Sequence, residues 1–292
     1  MENNAYDAGV LALEQKNYAK AIENLEKAYA DKKTFKLNYL LFSAFKGLNE
    51  HAEASLIAED YLLDYIRDNE KLSEYVKEAI LAGKVRKIQM TLDLMGGFMT
   101  SNEADSFSKL FEKTLAQARK DRSVADIKRQ LAHLGALDTL GQRKLVSQAD
   151  CLTIEEFKEA VVNDLNDPYV HPLVRASLLD ELRYLGSKEK VRYRLFSGEE
   201  QEFIPANLKE LDEYLMYQRL VMLLENDDTI SEDLRPAMLA ELRLKLQLLY
   251  PKLALYQDPA QLYRVLLQKD DMSEAETALA NELEKSLKQW NV

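Results

Sequence analysis

The sequence predicts a mainly all-α fold, an α-α superhelix or helical-repeat solenoid with one small β-hairpin insertion near residues 188–205. Glycine and proline are scarce, at 9 and 6 of 292 residues, too few for the many turns of a β-sandwich. Apolar residues recur at three- and four-residue spacing through most of the chain, which is typical of amphipathic helices. The pattern of residues 5–30 then recurs in residues 39–62.

Residues 5–61 are predicted to form two consecutive helical hairpins. In the first hairpin, small side chains at Gly9 and Ala21 permit the two helices to approach closely, and Leu25 fills the space between them. In the second hairpin, Ala54 lies 33 residues after Ala21 (54 − 21). A period of about 34 residues is typical of repeat proteins built from helix pairs.

This pattern resembles the tetratricopeptide repeat (TPR). The matching positions are Gly9, Tyr18, Ala21, Leu25 and Ala28 in the first repeat, with Ala54 and Ala58 in the second. The chain departs from the family's pattern at Ala5, where a large aromatic residue is usual, and at Lys33, where proline is usual. The resemblance implies stacked hairpins over residues 1–96 and a groove, lined by the first helix of each pair, that binds a protein or peptide.

The residues predicted to line that groove are Tyr6, Leu13, Tyr39 and Phe42. Their side chains favour an apolar or aromatic segment of a partner. One variant of the family holds a C-terminal carboxylate with Lys and Asn side chains, but here Tyr6, Val10 and Leu40 occupy the matching positions, so that clamp is missing. The alternative is that several of these side chains pack between the hairpins.

Residues 97–292 are predicted to form a helical C-terminal region. The Gly96-Gly97 pair before it is interpreted as either a domain boundary or a plain helix end. Further helices are expected over residues 207–290, the first of them capped by Asn207. The last helix, with leucines every four residues, is expected either to cap the array or to form a homodimer.

A second resemblance covers residues 153–186. Asp167-Pro168, followed by Arg175 at the start of a helix, resembles the joint of a HEAT repeat. The resemblance implies that this aspartate and arginine tie successive hairpins together. The insertion of His171-Pro172 departs from the family's pattern.

Alternation of side-chain types over residues 188–205 predicts the β-hairpin. A three-residue loop would place Tyr193 opposite Phe203 and Arg194 opposite Glu202. The hairpin is expected either to cover the flank of the helices or to accept a partner's strand at its edge. The candidate contacts for such a strand are Arg192, Arg194 and Glu202.

The net charge is −11 and the isoelectric point is about 5.0. Residues 201–292 contain 10 basic and 17 acidic residues, a net charge of −7 (10 − 17). Nucleic acids and anionic membranes are bound through clustered Lys and Arg, so neither is an expected partner. The acidic C-terminal third is expected either to be a solvated face or to meet a basic partner.

No catalytic, cofactor or metal site is predicted. The histidines, His51, His133 and His171, are far apart in the sequence, and none has the cysteine neighbours of a zinc site. Cys151 is the one cysteine, which excludes an internal disulfide and favours a reducing compartment. The polar N-terminus resembles no signal peptide, and no run of about 18 apolar residues occurs, so a cytoplasmic location is expected.

The sequence therefore favours a scaffold or adaptor that binds a protein or peptide and is not an enzyme. Two alternatives stay open. One is a regulatory protein that changes shape on binding a short peptide. The other is an enzyme with a site between the helical halves.

Overall fold

The structure, a computed structural model, describes residues 2–120, 124–269 and 272–290. The chain divides into two compact units. The first comprises the chain to Val124 with the segment Asp150–Ile154, and the second comprises Ala125–Ala149 and the chain from Glu155. The described residues form helices and one two-stranded sheet, which confirms the mainly α fold class with a small β-hairpin. No helix among them is long and apolar enough to cross a membrane.

The first unit consists of a succession of α-helices. Its helices are α1 (Glu2–Glu14), α2 (Tyr18–Asp31), α3 (Phe35–Gly47), α4 (His51–Glu59), α5 (Leu62–Ile66), α6 (Asn69–Ala82), α7 (Val85–Gly96) and α8 (Ser101–Ala118). They pack in order, with α1 on α2, α2 on α3, α3 on α4, α4 on α6 and α6 on α8. This succession of neighbouring contacts is that of a helical-repeat-like protein.

The two predicted hairpins are present, and small side chains lie where the helices meet. A Cβ added at Gly9 would lie 2.7 Å from Leu25 Cγ, so α1 and α2 are too close for any larger residue there. Ala21 and Ala54 are fully buried at equivalent positions of α2 and α4. The turn within each hairpin contains a residue with positive φ, Lys16 in the first and Asn49 in the second.

The first unit continues beyond Gly96-Gly97, where the sequence suggested a boundary. The glycines end α7, and α8 follows with Phe107 only 5% exposed against the core built from α3, α4 and α6. The segment Asp150–Ile154 also belongs to this unit. Arg86 Nη2 donates to Asp150 Oδ1 at 2.7 Å. The pair of glycines is therefore a helix end inside a compact unit.

The second unit contains the remaining helices and the sheet. Its elements are α9 (Val124–Leu131), α10 (Thr139–Gln148), α11 (Ile154–Val161), α12 (Pro172–Tyr184), β1 (Val191–Arg194), β2 (Glu200–Phe203), α13 (Leu215–Glu225), α14 (Arg235–Leu249), α15 (Pro259–Leu267) and α16 (Glu274–Trp290). The first residues of α9 and of α11 fall in the first unit. The predicted helix start at Asn207 is wrong, because short 3-10 turns occupy Pro205–Asn207 and Leu211–Glu213.

The hairpin has the predicted faces but a different register. Tyr193 pairs with Gln201 and Arg194 with Glu200, two residues away from the predicted partners. The Leu195 N–H donates to Glu199 O, so the loop has the expected three residues, but it occupies 196–198 and begins one residue earlier than predicted. A shift of two residues keeps every side chain on its face. Tyr193 and Phe203 consequently still touch, as diagonal neighbours with ring centroids 6.0 Å apart.

Arg175 joins the start of α12 to the preceding loop and to the hairpin. Its guanidinium donates to the backbone carbonyls of Asp167, Val170 and Arg194. The HEAT-like resemblance implied that the aspartate and the arginine tie successive hairpins together, and here the arginine binds the aspartate's backbone carbonyl. The buried guanidinium therefore fixes backbone carbonyls within the second unit.

The C-terminal helix α16 packs within the second unit, against α10, α14 and α15. Leu283 and Leu287 are buried there. Lys245 of α14, whose side chain is 3% exposed, lies 2.5 Å from Glu284 of α16 and 2.6 Å from Glu241. It also donates to the carbonyl of Leu266 in α15 at 2.6 Å. A homodimer through α16 would have to use the exposed side of this helix.

Candidate partner-binding surface

The first helices of the hairpins, α1 and α3, and the next helix, α6, are linked side to side by aromatic and charged residues. The ammonium of Lys36 on α3 lies 4.9 Å from the ring centroid of Tyr6 on α1. The ammonium of Lys71 on α6 lies 5.4 Å from the ring centroid of Tyr39 on α3. Cation–π contacts of this kind are worth about 0.5–1 kcal/mol at exposed sites. We call this surface the first-helix face.

Tyr39 is the most constrained residue of the first-helix face. Its hydroxyl donates to Glu74 Oε2 at 2.8 Å, and Lys46 Nζ donates to the other oxygen of that carboxylate at 2.5 Å. Burial, followed by the bond to Glu74, raises the pKa of the Tyr39 hydroxyl, so it remains a donor at neutral pH. The half-buried ring is therefore held in one orientation while part of it faces solvent.

The four predicted groove residues do not share one environment. Tyr6, Leu13 and Tyr39 are half-buried and border the cores of the first unit. Phe42 has no exposed surface and stacks on Tyr39 with centroids 6.0 Å apart. Phe42 cannot contact a partner in this conformation, and for it the alternative of packing between hairpins holds. Phe42 lies three residues after Tyr39, a spacing that predicts the same face of α3, but its side chain turns into the core.

A buried polar cluster that the sequence analysis missed lies beneath these helices. The Asn38 amide donates to Tyr29 Oη at 3.3 Å and to the carbonyl of Ile57 at 2.6 Å. It accepts from the Tyr65 hydroxyl at 3.0 Å. Asn38 is fully buried, so α2, α4 and α5 are all bonded through one side chain of α3. An asparagine on the apolar side of a predicted helix is the signal that would have identified it.

The three candidate hairpin contacts are also placed differently from one another. Arg192 and Glu202 are exposed and opposite each other, and Glu202 lies 3.2 Å from Lys190. Arg194 is occupied, because its N–H donates to Leu165 O and its carbonyl accepts from Arg175 Nε. The outer edge of β1 is therefore closed at Arg194 to an added strand.

His171 is a structural cap of α12. Its Nδ1 accepts from the N–H of Leu173 at 3.2 Å, and its Nε2 lies 3.1 Å from the carbonyl of Ser286. An acceptor at Nδ1 and a donor at Nε2 require the neutral ring. Burial lowers the pKa of His171, consistent with that state. The His-Pro pair at the start of a helix is the sequence signal for this cap.

The carboxyl group of Asp164 is buried, and its hydrogen bonding is incomplete. It is 2% exposed, and its Oδ2 has no hydrogen-bond partner in the described part of the chain. Burial, followed by the charge of Asp167, raises the pKa of this carboxyl to about 7. The carboxyl is therefore largely protonated below neutral pH in the folded chain, whereas it ionises near pH 4 when unfolded.

Asp164→Asn is expected to stabilise the chain more at high pH than at low pH. Because the folded pKa is raised, the stability contributed by the protonated group is complete below pH 4 and falls as the pH rises to about 7. Asparagine resembles the protonated carboxyl and does not ionise. The free energy of unfolding of the variant, relative to that of the wild type, should therefore rise by about 2 kcal/mol between pH 5 and pH 8. Urea unfolding of both proteins at pH 5 and pH 8 measures this difference in the free energy of unfolding. A difference that does not change with pH would contradict the prediction.

Among residues 2–120, 124–269 and 272–290, no three His, Cys, Asp or Glu side chains form a group that could hold a metal ion. Cys151 is buried. Comparisons with family models, with curated proteins and with solved structures found no match to this chain. The functional interpretation therefore depends on the surfaces described above.

Proposed function

We propose that the chain is a non-catalytic adaptor that binds a protein or peptide through TPR-like hairpins. The observation that carries the proposal is the first-helix face, where the half-buried Tyr6 and Tyr39 are held by Lys36, Lys71 and Glu74. The fit of Gly9 against Leu25 and the spacing of the buried Ala21 and Ala54 support the TPR-like assignment.

Rigid aromatic side chains suit this role for a physical reason. A flexible side chain loses conformational entropy when a partner orders it, at about 0.5–1.5 kcal/mol each. Tyr39 is already fixed by its hydrogen bond and by stacking on Phe42, so most of that cost has been met on folding. Tyrosine also offers a large apolar ring, which is why it is frequent among the dominant residues of interfaces.

The double variant Tyr6→Ala, Tyr39→Ala is expected to lose the principal partner. Removal of two aromatic contacts near the centre of an interface typically costs 2 kcal/mol or more, about a thirtyfold loss of affinity. The measurement is affinity capture with mild crosslinking from cells that make the protein, followed by titration of the captured partner against each variant.

Tyr184→Ala is the matched control, because Tyr184 is an exposed tyrosine of the second unit (63% exposed). Circular dichroism and a thermal melt must show that each variant is folded. The proposal fails if folded double variant and wild type capture the same partners with equal affinity. Loss of a partner from the Tyr184 variant alone would move the binding site to the second unit.

A further inference from the structure

A groove on the other helices of the two hairpins is lined by apolar side chains and rimmed by acids. The second helices, α2 and α4, form its walls, and Leu41 and Phe45 of α3 form its floor. Its cavity volume is about 560 Å³, which is room for several side chains but not for a whole helix. Leu56 on the α4 wall is 64% exposed. We call this the second-helix groove.

The two walls carry the same arrangement of residues. On α2 and just after it, an acid, two apolar residues and a charged residue follow at spacings of three, one and three: Glu26, Tyr29, Ala30 and Lys33. On α4 and just after it, the corresponding series is Glu53, Leu56, Ile57 and Asp60. Positions i, i+3 and i+4 share one helical face, so on each wall the acid and the two apolar residues lie together, and the fourth residue of the series follows the end of the helix.

The groove is fixed by the buried polar cluster beneath it. Asn38 donates both to Tyr29 of one wall and to the carbonyl of Ile57 in the other. Tyr29 in turn donates to Asp60 Oδ2 at 3.0 Å, which ties the end of the α4 wall to the α2 wall. These bonds set the separation of the walls before any ligand arrives, so a ligand does not have to order them.

The charges at the rim select the class of ligand. Three carboxylates, those of Glu26, Glu53 and Asp60, face one ammonium, that of Lys33, which lies over the Tyr29 ring at 5.5 Å. Within the described residues neither Glu26 nor Glu53 takes part in an ion pair. Unpaired carboxylates beside an exposed leucine attract a ligand that is both basic and apolar.

We propose that the second-helix groove binds a basic amphipathic peptide segment of a partner protein. Leucine-like side chains of the segment occupy the space above Leu41 and Phe45, and its Lys or Arg residues pair with Glu26 and Glu53. This is a helix-in-groove type of recognition. It uses α2, α4 and two residues of α3, and none of its lining residues belongs to the first-helix face.

The test uses the full chain and three fluorescent helical peptides of equal length, measured by anisotropy. The first has leucine on one face and lysine on the other, the second has glutamate in place of lysine, and the third has serine in place of leucine. The wild-type chain is expected to bind the first peptide at least tenfold more tightly than either of the others, which corresponds to about 1.4 kcal/mol.

Two variants locate the binding. Glu26→Lys, Glu53→Lys is expected to weaken binding of the lysine–leucine peptide at least tenfold, and so is Leu56→Glu. The control Glu232→Lys, Glu282→Lys makes the same change in net charge at two exposed acids of the second unit, and Leu94→Glu alters an exposed leucine of α7 (72% exposed). Neither control should change the affinity by more than about twofold.

If the charge control loses as much affinity for the lysine–leucine peptide as the groove variant does, the attraction is a non-specific one to an acidic protein, and the proposal is overturned. Binding of the glutamate peptide as tightly as the lysine peptide would also overturn it.

Sedimentation velocity adds one further outcome. A dimer that disappears in Leu56→Glu would make a second copy of the chain the occupant, in place of a basic segment. Tyr6→Ala, Tyr39→Ala should leave peptide binding unchanged. Failure of the second-helix groove proposal is therefore distinguishable from failure of the proposed function of the first-helix face.

Discussion

Lys245→Ala is expected to destabilise the second unit by about 3 kcal/mol or more. Lys245 is a nearly buried ammonium that bonds Glu241, Glu284 and the carbonyl of Leu266. It thereby joins α14, α15 and α16. Truncation removes the ammonium from these three acceptors, and it leaves the space of the side chain empty.

The measurement is urea unfolding of the full chain, with hydrogen exchange to assign the loss of protection to α14, α15 and α16. Lys285→Ala, at an exposed lysine of α16, is the control and should change the free energy of unfolding by less than about 0.5 kcal/mol. Lys245→Met with Glu284→Gln should recover part of the loss, because it refills the space and removes an unpaired carboxylate. Equal effects of the Lys245 and Lys285 variants would contradict this account of α16.

Asn38→Leu is expected to destabilise the first unit by about 3 kcal/mol. The substitution keeps the branched shape of the side chain but leaves the Tyr65 hydroxyl without its Asn38 acceptor and the Ile57 carbonyl without its side-chain donor. A buried polar group left unsatisfied costs about 1–3 kcal/mol. Thermal and urea unfolding measure the loss, and hydrogen exchange should place it in α3, α4 and α5.

The coupling between Asn38 and Tyr65 separates a hydrogen-bond effect from a packing effect. Tyr65→Phe removes the hydroxyl and should cost about 1 kcal/mol alone. The double variant Asn38→Leu, Tyr65→Phe should then be less destabilised than the sum of the single variants, by at least 0.5 kcal/mol. Asn24→Leu, where the amide bonds only the Lys20 carbonyl of its own helix, is the control. Strictly additive effects would show that the Asn38–Tyr65 bond contributes little.

The parts of the fold that depend on local spacing were predictable from the sequence. The helices of the first two hairpins follow from apolar residues three and four apart. The close contact at Gly9 follows from the absence of a side chain where Leu25 must fit. The last capping box, in which Ser273 and Glu276 bond each other's backbone N–H groups, needs only residues three apart.

The features that were not predicted depend on contacts between residues far apart in the sequence. Asn38 and Lys245 have partners as far as 27 and 39 residues away (65 − 38 and 284 − 245), so their buried bonds form only when α4, α5, α15 and α16 are placed around them. The hairpin register depends on the residue at which the loop begins, which alternation does not specify. The second-helix groove is formed by residues of α2, α3 and α4 together, so no pattern within one helix identifies it.

The same distinction applies to the first-helix face. Spacing identified Tyr6 and Tyr39, both of which remain partly exposed. It did not separate Tyr39 from Phe42, because side chains three residues apart lie only about 60° apart around a helix, and exposure there depends on where the next helix lies. The lysines over the two rings come from neighbouring helices and have no local signal.

Hydroxyl-radical footprinting tests the central proposal, that the first-helix face is the partner-binding surface, most directly. The full chain is oxidised alone and in complex with its captured partner, and the side-chain oxidation of each tyrosine is compared by mass spectrometry. The account predicts that oxidation of Tyr6 and Tyr39 falls on binding while that of Tyr184 does not change. Unchanged oxidation of Tyr6 and Tyr39, with protection of Tyr184 or of other residues in the second unit, would contradict it.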